Sequence, residues 1–381
     1  MGWSIQISCF SFSSKRNKNA MRAIDFFCGT GGFSRGAHDA GFDVVAAFDI
    51  DPILTSSFEK NFPDTKLFLN DIAQLTGEGI LADIGGGEID LIFGGPPCQG
   101  FSSIGKRQIS DPRRTLLRHF FRLVAEIQPA VFVMENVQGL AYKEARPELD
   151  AAIALIPCHY TVLSPIILDA SEFGAATKRK RMFVIGYDPD RCGELNVADI
   201  DAAKRPAVSV ADALSGLLGA RKVPSDDETP DVWKITNCEE LSVYAKTLLS
   251  HDMTFTGNLR TVHSDAIMSR FADLPQGKVD KIGRHHRLEW AGQCPTIRAG
   301  TGPDKGSHQA VRPVHPDENR VITVREAARL QGFPDNHLFH PTIWHSFRMI
   351  GNSVSPIVAK EILTAVARKI YAAQCNEMLA A

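Results

Sequence analysis

The chain has no Cys-x-x-Cys pair: its eight cysteines stand apart at positions 9, 28, 98, 158, 192, 238, 294 and 375. Zinc sites use paired spacing of that kind, so a cysteine-based metal centre has no support and none is expected. So few scattered cysteines in 381 residues do not make the disulfide framework that staples small secreted domains. A reduced, cytoplasmic setting on the nucleoid is expected. No apolar run comes near the roughly 20 residues of a membrane-spanning helix, so no membrane partner is expected. No internal repeat or low-complexity tract stands out. An excess of one charge is missing as well: 42 Lys and Arg stand against 44 Asp and Glu, for a net charge of -2. A polyanion would have to meet a local basic surface. The first 20 residues carry their basic cluster after the mildly apolar part, the reverse of a secretory signal. They read as a disordered leader or a misplaced start before Met21.

What the chain does have is a series of short apolar runs from residue 21 onward. They are AIDFF (23–27), VVAAF (44–48), KLFL (66–69), DLIF (90–93), AVFVM (130–134), VLSPIIL (162–168) and MFVIGY (182–187). Near-continuous apolar runs alternating with helical stretches predict parallel strands covered on both faces. Helices are predicted over 33–40, with Gly41 as the stop, over 52–61 and over 115–127. The fold class is therefore α/β, a doubly wound, mostly parallel sheet whose ligands bind at the carboxyl ends of the strands. After Tyr187 the periodicity weakens through KVPSDDETPD and RAGTGPDKGSH, which predicts a smaller irregular domain. A helix returns at TVREAARLQGF, and another is predicted over 356–372.

Two stretches suggest chemistry. The first strand runs into DFFCGTGGFSRG (25–36), a glycine-rich turn spaced G-x-G-G rather than G-x-G-x-x-G. Such a turn lets a ligand approach the backbone, although a plain strand-to-helix turn reads the same way. Asp49 ends the second strand and is suited to two ribose hydroxyls; Asp71 follows the third and is suited to an exocyclic amine. Either alone reads equally as a cap or turn residue. Together they outline an adenosine-shaped pocket without a phosphate loop, which suits S-adenosyl-L-methionine. The second stretch, GGPPCQGFS (94–102), frames Cys98 between prolines and glycines directly after an apolar run. Prolines fix φ and glycines admit unusual angles, so the segment holds a shape that presents the thiol. An isolated cysteine would read as a small buried hydrophobe.

In order along the chain, DFFCGTGGFS, Asp49, Asp71, GGPPCQGFS, MENV (134–137), FGAATKRKRMFVIG (173–186), RLQGFPD (329–335) and IGNSVSP (350–356) resemble the DNA cytosine-5 methyltransferases of restriction–modification systems. The resemblance covers residues 21 to about 370. It implies S-adenosyl-L-methionine as cofactor, held by Asp25, Phe27, Gly29, Gly31, Gly32, Phe33, Asp49, Ile50, Asp71, Ile72, Pro97, Asn352 and Ser353. It implies catalytic roles for Cys98, Glu135, Arg179 and Arg181. Carbon 5 of cytosine is a poor nucleophile until a thiolate adds at carbon 6 and makes it enamine-like. Cys98 is the implied thiolate. Glu135 would bond N3 and the exocyclic amine, and Arg181 would meet O2. The basic run KRKR also reads as an exposed phosphate-binding patch. The sequence departs from the family at Ala176 and Thr177, where Pro and Gln are usual, and at Met349, where Gln is usual.

Duplex DNA is the implied partner, contacted by Gln99, Ser102, Lys106, Arg107 and Arg298; Arg114, Arg118 and Arg122 recur along one helical face and read equally as a phosphate-binding stripe or an ordinary solvated face. A base inside a duplex must be extruded before a thiolate can reach it. The expected organisation is a leader over 1–20, a catalytic domain from 21–187 plus 341–375, and a target-recognition domain with its connecting segment over 188–340. A monomer is expected, with any cognate restriction endonuclease acting separately. The alternatives are a tRNA cytosine methyltransferase on the same scaffold and a catalytically silent DNA-binding homologue.

Overall fold

A computed structural model of the protein describes residues 20–97, 115–224, 231–300 and 311–380. The leader lies almost wholly outside that range. Nine strands follow one another from the start of the described chain: β1 (Arg22–Phe26), β2 (Asp43–Asp49), β3 (Lys66–Leu69), β4 (Leu91–Gly94), β5 (Val131–Val137), β6 (Thr161–Val162), β7 (Ile166–Asp169), β8 (Thr177–Lys178) and β9 (Lys180–Tyr187). Among the described residues eight of them form one sheet, in the order β3-β2-β1-β4-β5-β9-β6, with β7 also on β9. Strands β3, β2, β1, β4 and β5 pair in parallel. β9 runs antiparallel to β5, β6 and β7.

The strand order reverses between β1 and β4. A crevice opens outside the carboxyl ends of the strands at such a switch point. The parallel strands are apolar on both faces because helices cover both. The helix Thr115–Ile127 lays Leu117, Phe120, Phe121, Val124 and Ile127 against Phe26, Phe48 and Phe132, an i, i+3, i+4, i+7 stripe facing the sheet. On the other face the helix Pro356–Ala380 buries Val358, Ile362, Leu363, Val366 and Ile370, each contributing about 1.5–3 kcal/mol on burial. It crosses the helix Gly32–Asp39 at Gly36, where an added Cβ would come within 2.3 Å of the Ala359 Cβ. The end of the chain is thereby fixed beside its first turn.

Three expectations are corrected. The run 162–168 is two short strands, because Ser164 and Pro165 interrupt the ladder. The helix predicted over 52–61 is consecutive turns through Ser57 and is helical only over Phe58–Asn61. The C-terminal helix continues past 372 to Ala380.

Beyond Tyr187 the chain forms short helices and a three-stranded antiparallel sheet of Arg221–Lys222, Val232–Lys234 and Thr254–Thr256. The motif RLQGFPD is central to this part. Arg329 is fully buried and makes a two-pronged contact with Asp335 at 2.9 and 2.6 Å. Arg325, also fully buried, donates to the carbonyls of Thr256, Pro334 and His337. Buried guanidinium groups persist only when their donors are satisfied, and here backbone carbonyls and the Asp335 carboxylate satisfy them.

Candidate active site

At the switch point lies a cleft of about 680 Å³. β1 delivers Asp25 into it and is followed by Phe27, a non-glycine residue at φ +64°. A side chain in the left-handed region is strained and persists only where its surroundings fix it. Here the next amide, Cys28 N, donates to Phe48 O at 3.1 Å. Gly29, at φ +50°, lines the cleft, and an added Cβ there would meet nothing within 4 Å. Gly31 and Gly32 do not line it. A Cβ on Gly31 would strike the Phe62 ring, and one on Gly32 would sit 1.9 Å from Ser353 Oγ. These two glycines admit protein neighbours rather than open space.

Asp25 is buried, and Oδ2 accepts from Ser34 Oγ at 2.5 Å. Among the described residues its Oδ1 has no hydrogen-bond partner. Burial pushes the carboxyl well above the usual range, the Ser34 hydroxyl opposes that, and the charge of Asp49 adds to it. Asp49, at the end of β2, accepts from the Gly29 amide through Oδ2 and from the Ile50 and Asp51 amides through Oδ1. Asp71 accepts from the Ala73 amide. Each carboxylate has about four lone-pair sites, so acceptor capacity remains. Phe27, Phe33, Ile50 and Ile72 add apolar walls to the cleft, with Ile50 66% exposed.

The other end of the cleft is built on β5 and β9. Arg181 pairs in register with Val137. Glu135, two residues back on the same face of β5, is therefore its diagonal neighbour. Arg181 Nε lies 2.9 Å from Glu135 Oε1, a charge contact without an aligned hydrogen bond. Burial pushes the Glu135 carboxyl up, and the guanidinium groups of Arg181 and Arg179 pull against it. Gly95 leaves space beside the acid, since a Cβ there would come within 3.2 Å of Oε2. Asn136 donates to Pro96 O at 3.2 Å and accepts from the Val137 amide, fixing the backbone after β4. Pro97 lines the cleft.

The two arginines of the basic run part company. Arg179 is buried, and its guanidinium donates to the carbonyls of Ile297, Gly351 and Ser353 at 3.3, 2.9 and 2.9 Å. It borders the cleft while holding the helix end that carries Asn352 and Ser353, both of which line it. The departures Ala176 and Thr177 join β8 to the strand Cys294–Pro295: Cys294 N donates to Ala176 O and Thr177 Oγ1 to Cys294 O. Met349 is buried on the cleft wall.

Cys98, Gln99, Ser102, Lys106, Arg107 and Arg114 lie outside the described residues. Arg298 is exposed and off the cleft. Arg118 is exposed, but Arg122 is committed to Glu126 at 2.7 Å and to Ile72 O, so the basic stripe loses one member. Cys28 also lines the cleft, but burial together with Asp25 and Asp49 pushes its thiol well up, which keeps it protonated and unreactive. Among the cleft residues outside every motif are Asp51 and Arg348, whose side chains meet at 3.1 Å.

Acidic side chains at successive strand ends around a switch-point crevice fit a methyltransferase of the α/β class. The model of the C-5 cytosine-specific DNA methylase family matches residues 21–368, and the chain belongs to that family. It is 38% identical over 359 residues to the Type II methyltransferase M.XorII of Xanthomonas oryzae pv. oryzae, covering 89% of this chain and 82% of that one. Type II methyltransferase M.AgeI of Thalassovita gelatinovora is 29% identical, with 89% and 97% covered. The solved structure of a DNA modification methyltransferase encoded within an E. coli prophage superposes with a TM-score of 0.79 at 36% identity, covering 92% of this chain and all of that one. The S. pombe Dnmt2 methyltransferase, at 17% identity and a TM-score of 0.62 with 92% and 99% covered, shares the fold.

Proposed function

We propose that the protein transfers a methyl group from S-adenosyl-L-methionine to carbon 5 of a cytosine extruded from a specific duplex DNA sequence, through a transient bond between Cys98 and carbon 6. The observation that carries this reading is one continuous cleft with an acidic glycine turn at one end and the Glu135–Arg181 pair at the other. Pro97, the neighbour of Cys98 in the chain, lines it between them.

The residues at the first end suit the donor. Asp25 Oδ1, buried without a partner, suits a cationic group. The open face of Gly29 leaves room for a ligand against the backbone. Asp49 and Asp71 suit ribose and amine, and Phe27, Ile50 and Ile72 suit a flat ring. When bound, the donor supplies a methyl group on a positively charged sulfur, which carbon 5 takes up. The protein's own residues do the rest. The Cys98 thiolate adds at carbon 6 and drives an electron pair toward carbon 5. Glu135, held toward its protonated form, bonds N3, while Arg181 opposes the negative charge that develops on the ring. Loss of the carbon-5 proton expels the thiolate and restores the ring.

Arg179 is a positioning residue in this scheme. Sequence choice falls to the region beyond Tyr187, with Arg298 and the residues after Cys98 on the DNA. The protein acts as a monomer, and any restriction endonuclease of the same system is a separate protein. Labelled donor incubated with mixed duplex DNA and with tRNA is the test: label in the duplex is expected, and label in tRNA alone, or in neither, would overturn the reading.

A further inference from the structure

We propose that Arg348 and Asp51 form a clasp across the mouth of the cleft that slows release of the methyl donor. This rests on the donor-binding reading above. Asp51 belongs to the loop after β2, whose residues Asp49, Ile50, Asp51 and Leu54 line one wall. Arg348 belongs to the helix Ile343–Asn352, which with Ser353 lines the same cleft from a different element. The two residues are 297 positions apart in the chain, and their Nη2–Oδ2 contact of 3.1 Å joins the two elements directly.

Each partner is aimed by its own surroundings. Asp51 Oδ1 accepts from the amides of Ile53 and Leu54 at 2.9 and 3.1 Å, which leaves Oδ2 for the arginine. The Arg348 guanidinium lies 5.1 Å from the ring of Trp344, one helical turn earlier. Neither local structure needs the ion pair in order to form. What the pair adds is a limit on how far the two elements separate, and a ligand held between them gains from that limit. The side chains are 23% and 28% exposed, so the contact is open to water and salt and can break when ligand leaves.

The experiment measures binding of S-adenosyl-L-homocysteine by calorimetry, and its dissociation rate, in four proteins: the unmodified chain, Arg348→Met, Asp51→Asn and the double variant. Asp51→Asn keeps an oxygen for the two amides while removing the charge. Circular dichroism and melting curves show whether each variant folds. Each single variant is expected to weaken binding about two- to fivefold, mainly through faster dissociation. The double variant should be no weaker than either single, and Arg348→Lys should recover part of the loss. High salt should shrink the difference between the unmodified chain and the variants. Additive losses, or unchanged affinity in variants of a chain that does bind, would overturn the clasp alone. Weakening by Arg348→Met without weakening by Asp51→Asn would overturn it in favour of direct contact between Arg348 and ligand. Failure of the unmodified chain to bind would overturn the donor reading and the clasp with it.

Discussion

Asp25 and Glu135 are both buried acids on the same cleft, and burial pushes both carboxyls upward. Their neighbours differ. Asp25 has a serine hydroxyl and the carboxylate of Asp49 and leaves one oxygen unpartnered. Glu135 has the guanidinium of Arg181 at 2.9 Å and feels Arg179 as well. An acid short of positive charge is set up to receive a cationic ligand. An acid already facing a guanidinium suits, on the proposed reading, a neutral ring that must gain negative charge. Under the proposed function the two ends of the cleft use the same functional group for opposite electrostatic tasks, and the surroundings decide which.

Breaking the Glu135 end should have the larger effect. Glu135→Gln keeps the shape and loses the transferable proton, so kcat should fall about 10²–10⁴-fold. Because burial raises this carboxyl, its proton persists to higher pH than an ordinary glutamate holds one. The rate should fall once pH passes that point, and the alkaline limb should be missing in Glu135→Gln; kcat measured against pH checks both.

The next contrast is between the arginines. Arg181→Met should reduce kcat strongly with little change in stability. Arg179→Met leaves three carbonyls short of a charged donor and should cost about 3 kcal/mol in a urea melt, together with weaker donor binding. Equal stability losses in the two variants would erase the distinction.

Asp25→Asn sharpens the comparison from the other side. The unfolded chain ionises Asp25 at ordinary carboxyl pH, whereas the folded chain holds the proton longer. Raising pH through that range therefore favours the unfolded state, and the penalty is full only above the folded pKa. Without ligand, Asp25→Asn should melt a few degrees higher than the unmodified protein at neutral pH, and the gap should close below about pH 4. Its affinity for the donor should fall about tenfold or more. A melting gap independent of pH would remove the assignment.

The parallel strands were legible because buried strands read as apolar runs, and β1 to β5 lie where those runs lie. The residues at their carboxyl ends followed, since a strand end at a switch point is where a crevice opens. What the sequence hid has physical causes. Asp51 and Arg348 meet only through the fold, and neither sits in a periodic or motif pattern. Gly31 and Gly32 look like ligand-facing glycines in the chain, yet they are small because Phe62 and Ser353 press on them. Arg179 and Arg181 differ by one pleat period, and only the surrounding carbonyls tell clamp from contact. The region beyond Tyr187 has strands of two or three residues, too short for any periodicity to register.

The central claim is that Cys98 bonds to the target cytosine. Duplex DNA carrying 5-fluorocytosine at the methylated position, incubated with the protein and S-adenosyl-L-methionine, tests it most directly, because fluorine cannot leave carbon 5 as the proton does. The prediction is a denaturation-resistant protein–DNA adduct whose linked peptide contains Cys98, absent in Cys98→Ser. An active preparation that forms no adduct, or one linked through another residue, would contradict it.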